Sequence, residues 1–401
     1  MDNLIQNLAH ADDSAELHQI RQNGLRAFEN HGLPTAKTEA WKYTRLRDLR
    51  VDDYEFPPQL KADKVPELPF EAYVINIGNG YVSADLPDII GVKIAPITEA
   101  VSYLGQNAAA SKHPFVALND YYLEHGLFIT VTGNLDKPLV LNYHIVPNGK
   151  NYFYNLRNVI VCESGSNVRL IERYTYDGEV KSRYLANIVN EIFVRSNAAL
   201  QHYKYQNEAF KANHIAFSGV SVAKDGVYRS FCLQKGANIA RNETEVVLSG
   251  EGAEAEVNAA YLMNGWATID TTTNVYHYVP HTRSAQLVKG VVGGEAKGVF
   301  QGRIHIAPNA VCTSGTQLHK AILLSDDAEI DVKPELEIFA DDVKCSHGAA
   351  SGELDPEQLF YMQARGIGLE EARQILIDAY LNDVLDKISN EPVREWFKSL
   401  I

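Results

Sequence analysis

The sequence predicts a mainly β protein, a parallel β-helix (solenoid) with α-helical amino- and carboxy-terminal parts, and three observations carry that prediction. From about residue 72 to residue 345 the chain is a succession of short β-branched and aromatic runs broken by Gly, Asn and Asp, without a segment of helical period. A turn former, a small residue, a spacer and usually an apolar residue recur from positions 165, 197, 236, 252, 309 and 327. Those starts are spaced near multiples of 16 to 19, as one corner per coil of a solenoid would give. After Gly352 the pattern changes to helix. A two-sheet sandwich or jelly roll explains the strands without the spacing and is the competing architecture. The expected divisions are 1–70, a helical segment and linker; 71–350, the solenoid; and 351–401, a helical partner-docking domain.

The elements follow in order. Asp13 and Glu16 have capping-box spacing, and Leu17, Ile20, Leu25 and Phe28 recur at helical intervals until Gly32 and Pro34. In the next segment, TEAWKYTRLRDL, Trp41 and Tyr43 alternate with Lys42, which predicts a stretch docked on something. Pro57, Pro58, Pro66 and Pro69 mark a linker between Tyr54 and Phe70. Near the end of the β region, Ile330, Val332, Leu336 and Ile338 alternate with Asp331, Lys333, Glu335 and Glu337, giving one strand face to a core and the other to water. Pro334 cannot donate to a ladder, so this strand should have a free side or a break there.

The first carboxy-terminal helix has Asp355 as N-cap, Pro356 at N1 and Gln358 at N3, with Leu354 and Leu359 in staple positions. Gly366 and Gly368 end it near Arg365. The second helix opens with Glu370 and Glu371 at its positive end. Its apolar residues, from Ala372 to Ile388, cover more than one stripe. The surplus face meets either a partner or Trp396, Phe397 and Leu400 from the last segment.

The chain has 401 residues, 45% hydrophobic, enough for a large core, and a formal charge of -14. That charge argues against nucleic acid and anionic membrane as partners, leaving room for a local basic patch. The amino terminus carries acids and no apolar signal region, and no apolar run reaches the ~20 residues of a membrane span. A cytoplasmic location is the expectation. Four cysteines without a C-x-x-C pair predict reduced thiols, with Cys162, Cys232 and Cys312 in strand-like, core contexts.

Cys345 and His347 are one residue apart, so in an extended segment a thiolate and an imidazole leave on the same face and can share a metal. Two ligands do not close a zinc site; His305, His319, Cys312, nearby acids or another protein would have to supply the rest. Asp331, Asp341 and Asp342 could serve acid–base chemistry, and a β-helical enzyme acting on carbohydrate is the alternative function, with a metal-free interaction solenoid as a third. No G-x-x-x-x-G-K-[ST], G-x-S-x-G or H-E-x-x-H occurs, which predicts no ATP hydrolysis and no nucleotide bound by this chain.

The stretches GVFQGRIHIAPNA (298–310), KPELEIFADDVKCSHGA (333–349) and LFYMQARGI (359–367), with EAWKYTRL (39–46), resemble the SufB/SufD scaffold proteins of iron–sulfur cluster assembly. The resemblance implies a right-handed parallel β-helix and a scaffold, not an enzyme, working with SufB and the ABC-type ATPase SufC, and able to form a homodimer when isolated. It also implies that Cys345 and His347 lie at the SufB interface and hold a transient iron–sulfur cluster or iron shared with SufB. Leu359, Phe360, Tyr361, Arg365 and Gly366 fall in the region through which these proteins hold SufC. The sequence departs from the family pattern at Ala350, where threonine is commoner, and at His319, in a stretch commonly rich in asparagine.

Overall fold

The structure, a computed structural model, describes residues 14–46, 49–59, 67–146, 149–176 and 181–401. Asp13 and Pro66, used above, lie outside the described residues. The β-rich region is a parallel solenoid of about eight turns. Successive strands alternate between two sheets: Tyr152–Cys162 and Tyr184–Val194 belong to a nine-stranded sheet, Asn167–Tyr176 and Ala199–Gln206 to a ten-stranded one. Each strand therefore pairs in parallel with the equivalent strand of the next coil. Tyr152 faces Tyr184, 32 residues on, and Asn213 faces Ile239, 26 residues on. One coil thus holds two strands and two corners. The sequence spacing of 16 to 19 marks half a coil, not a whole one, because the same turn chemistry serves both corners.

Between the sheets runs the apolar core, including Ile129, Leu141, Ile160, Leu170, Ile192, Val246 and Ile269. Both strand faces are buried through most of the coils, which accounts for near-continuous apolar runs in place of clean alternation. The core also encloses polar groups. Glu172 accepts from His202 Nε2 at 2.6 Å and Asn190 Nδ2 at 3.0 Å, with Lys204 Nζ 3.5 Å away. Burial alone would raise this carboxyl, but Lys204 and His202 hold it well below the usual carboxylate range. Burial pushes His202 down, so it stays neutral, donating to Glu172 and accepting at Nδ1 from the Tyr228 hydroxyl at 3.0 Å.

The outer faces of the two sheets are covered differently. Helix α1, Ala15–His31, is capped by the Ser14 side chain, which accepts from Leu17 N, and ends at Gly32 with φ of 63°. Helix α2, Pro114–Tyr121, packs with α1 on the nine-stranded sheet. The sequence hides α2 because all but its last residue is buried, so HPFVALNDY carries no amphipathic period. Beneath it Arg157, fully buried, pairs with Asp120 at 3.0 Å and Glu191 at 2.6 Å. Glu191 also accepts from the backbone N–H groups of Gly105, Asn107 and Ala108, pinning that loop to the sheet. Burial pushes the Asp120 carboxyl up to about 6 against the pull of Arg157.

The described ends of the proline-rich stretch bridge the two sides: Tyr54 and Phe56 pack on the nine-stranded face, Leu68 and Phe70 on the ten-stranded face. The latter is covered by helices α4, Leu369–Leu385, and α5, Glu391–Lys398. Ile377, Leu381, Val384 and Leu385 of α4 join Trp396 and Phe397 of α5 over Tyr203, Phe231, Leu233 and Val291. Trp396 and Phe397 therefore cover the surplus face of α4 left open by its sequence, and Leu400 packs beside them.

Phe397 is fully buried at the junction of α4, α5 and the sheet, with Phe231 edge-on at 5.2 Å. Phe397→Ala should cost about 3–5 kcal/mol in urea unfolding, whereas truncating the exposed Phe360 should change stability by less than ~0.5 kcal/mol. Equal small effects would show that α5 adds little to the fold.

Candidate functional site

Both sheets end at the same end of the solenoid. The nine-stranded sheet finishes with Glu329–Ile338 and the ten-stranded one with Val343–Gly352. Among the described residues neither strand has a partner on its far side, and their own residues are only half-buried or exposed. Pro334 lies on this edge strand, opposite Gly302, where a missing N–H costs no internal ladder bond.

Cys345 and His347 occupy alternate positions of the final strand and share its inward face. The register places Cys345 at the end of the column Ser284 and Gly315, and His347 at the end of Gln286 and Gln317. Cys345 is half-buried against Ile304, Ile306, Leu336 and Val343, and His347 is exposed. Burial pushes the Cys345 thiol up, an effect partly offset by the Gly315 backbone N–H. The pair therefore lies at the mouth of the core, on a strand with no further neighbour among the described residues.

The other candidate ligands do not complete the set. His319 shares the inward face but lies deeper; its Nε2 meets the Tyr261 hydroxyl at 2.9 Å, its ring stacks 4.9 Å from Phe300, and burial pushes it down to about 4. His305 turns outward to Glu337 Oε2 at 2.9 Å. Cys312, expected in a core strand, is exposed in a corner with φ of 55°. Its corner motif sets that position, and its thiol donates to Asp342 Oδ2 at 3.2 Å, which raises its pKa. Asp331 faces outward and pairs with Lys297 at 2.5 Å, while Asp341 and Asp342 lie in the turn before the last strand. Among the described residues no group of three or more His, Cys, Asp or Glu is arranged to hold a metal ion.

Beside this end stands α3, Pro356–Ala364. Asp355 caps it by accepting from Glu357 N at 2.9 Å, and Gly366, with φ of 88°, follows its last turn. None of its residues is buried. Phe360 and Tyr361 are 73% and 60% exposed, with the Arg365 guanidinium 5.1 Å over the Tyr361 ring, while Leu359 is half-buried.

The tryptophan-containing segment near residue 40 docks across the outer face of the last coils. Trp41 stacks 4.3 Å from the buried Arg241 guanidinium and 5.2 Å from Phe115, and Thr44 hydrogen-bonds Asp270. Gln301 Nε2 donates to Ala40 O at 3.1 Å, and Lys333 on the edge strand pairs with Glu39 at 2.7 Å. Reading the sequence finds the docked segment but not its target, because Arg241, Asp270, Gln301 and Lys333 come from four different coils.

Comparison with known proteins matches residues 145–380 to the SufBD core domain of the SUF system for FeS cluster assembly, and residues 4–79 to the SufBD protein N-terminal region. The chain is 29% identical to the iron–sulfur cluster assembly protein SufD of Escherichia coli, over 97% of this chain and 93% of that one. It is 28% identical to the SufBD family protein slr0076 of Synechocystis, over 92% and 86% of the two chains. Protein ABCI7, chloroplastic, of Arabidopsis thaliana is 27% identical over 96% and 86%.

The four thiols should separate in native alkylation. Cys162 and Cys232, buried and pushed up to about 12, should stay unlabelled until the chain unfolds, while Cys312 and Cys345 react. Replacing Asp342 by Asn removes the anion that opposes thiolate formation at Cys312. Its alkylation at pH 8 should then rise several-fold, and an unchanged rate would break the Asp342–Cys312 link.

Proposed function

The chain belongs to the SufBD family of iron–sulfur cluster assembly proteins, and from that premise we propose that it is a non-enzymatic scaffold subunit whose last coil pairs with SufB and whose α3 docks the ATPase SufC. The observation that carries the reading is the open solenoid end with Cys345 and His347 on its inward face. Unpaired strand edges invite another chain, and a partner's last coil would satisfy them while closing the mouth over the two side chains. One thiolate and one imidazole are half of a four-ligand set. A partner supplying the other half would make a shared site for the nascent cluster, which is cargo here.

Force from SufC would enter through α3, whose exposed Phe360 and Tyr361 offer aromatic anchors. From α3 the path to the final strand is short in sequence, from Gly352 to Pro356. Movement of the ATPase could then strain or relax the edge that carries Cys345 and His347.

Two measurements test this. In a purified complex of this chain with SufB and SufC, Cys345→Ala with His347→Ala should lower cluster loading at least tenfold while the complex stays assembled. Unchanged loading would remove the ligand role. Separately, Phe360→Ala with Tyr361→Ala should weaken SufC capture by about 2–4 kcal/mol and leave SufB pairing intact; equal capture by both chains would place the ATPase elsewhere.

A further inference from the structure

On the outer corner of the solenoid, far in sequence from the final strand, a groove of about 630 Å3 is lined by Arg45, Lys181, Arg183 and Lys211 and by no carboxylate among the described residues. In a chain of net charge -14 that is a local reversal of sign. Two large rings line the same groove: Phe210 is 64% exposed and Trp266 75% exposed. The turn from Asn264, with Gly265 at φ of 93°, holds Trp266 out in solvent. Leaving an indole uncovered forgoes the burial free energy that the other two tryptophans, Trp41 and Trp396, obtain in the core.

The coil register sets the spacing. Tyr184 pairs with Ala212, so Arg183 and Lys211 precede neighbouring rungs. Asn213 pairs with Ile239, and Ile239 with Thr268, so Trp266 stands two rungs beyond Lys211, about 10 Å away at the usual strand separation. An aromatic platform and a row of cations at that separation fit a ligand with a flat ring at one end and an anionic chain at the other. Asn151 and Asn238 complete the lining with amide groups.

We propose that this groove binds a nucleoside polyphosphate, its base stacked on Trp266 and its phosphates along Lys211 and Arg183. A peptide strand is less suited, because the backbone here is already committed: Asn238 N donates to Ala212 O at 2.8 Å and Thr268 N to Asn238 O at 2.9 Å. A long polynucleotide would meet the acidic remainder of the chain. The missing P-loop, from which no bound nucleotide was expected, bears on a phosphate cradle for hydrolysis; stacking and ion pairing need no such loop. The site therefore holds nucleotide without cleaving it.

The test is a titration of the full chain with ADP at low ionic strength, followed by calorimetry and by tryptophan emission, to which exposed Trp266 contributes the long-wavelength part. ADP should bind saturably, quench that part, and bind at least tenfold tighter than tripolyphosphate or adenosine alone. Arg183→Ala with Lys211→Ala should weaken ADP at least tenfold; Trp266→Phe should keep calorimetric binding while losing the quench, and Trp266→Ala should lose both. All three side chains are exposed, so unchanged melting curves are the folding control. Absence of saturable ADP binding at millimolar concentration overturns the proposal. Tripolyphosphate binding as tightly as ADP and indifferent to Trp266→Ala overturns it too, reducing the groove to an unselective anion patch.

Discussion

A parallel solenoid pairs each strand only with the strands one coil before and one coil after, and this constraint organises the whole molecule. Within the stack the strands pair with their neighbours in register, as in the eleven consecutive pairs between Tyr152–Cys162 and Tyr184–Val194. At the ends the rule fails. At the early end each sheet finishes in a short antiparallel pair, Tyr73–Gly78 with Tyr81–Val82 and Val92–Pro96 with Leu127–Val131. Among the described residues the late end finishes instead in two parallel edge strands, the second carrying Cys345 and His347. An unprotected pair of strand edges is an aggregation hazard unless a partner routinely occupies it.

The polar interior follows from the same stacking. Every inward position forms a column along the axis, so a polar side chain in one coil can reach a partner in an adjacent coil as well as in its own, as Tyr174 does with Glu172. Glu172, His202 and Lys204 do so across two coils, and Gln317 donates to Gln286 at 3.2 Å across two more. Removing one member would strand the rest, which makes these columns intolerant of single changes. On the outside, the segment around Trp41 ties coils together from another direction. Its contacts run from Arg241 to Lys333 on the edge strand, so a single irregular stretch braces the last four strands of the nine-stranded sheet.

The sequence reveals whatever repeats or has local punctuation. β-Branched runs give the class, recurrent corners give the solenoid, and Asp355 with Pro356 gives the start of α3. What escapes is set by three-dimensional neighbours. Helix α2 lacks a polar face because it is covered on every side, and Cys312 looks like a core residue although its corner turns it out. The Cys345–His347 pair is legible from its spacing as two side chains on one strand face; its position at an edge is not, since that depends on which strands stack beside it. The basic groove is the extreme case. Arg45, Lys181, Arg183 and Lys211 have no local pattern in common and meet only when the coils stack.

The half-burial of Cys345 has a chemical meaning beyond packing. A thiol raised by its apolar neighbours is mostly protonated near neutral pH, and so a poor nucleophile and a poor ligand. His347, exposed beside it, makes no side-chain hydrogen bond or ion pair among the described residues that would fix its tautomer. Each side chain is thus positioned without being activated. Iron arriving at the edge would displace the thiol proton and hold the imidazole in one orientation. A metal held by two ligands alone binds weakly, however, because the lost proton and the ordering of His347 both oppose it. On the proposed reading, covering the edge with another chain would exclude water and add donors in one step, so that the site would stay quiet in the isolated chain and gain its affinity from assembly.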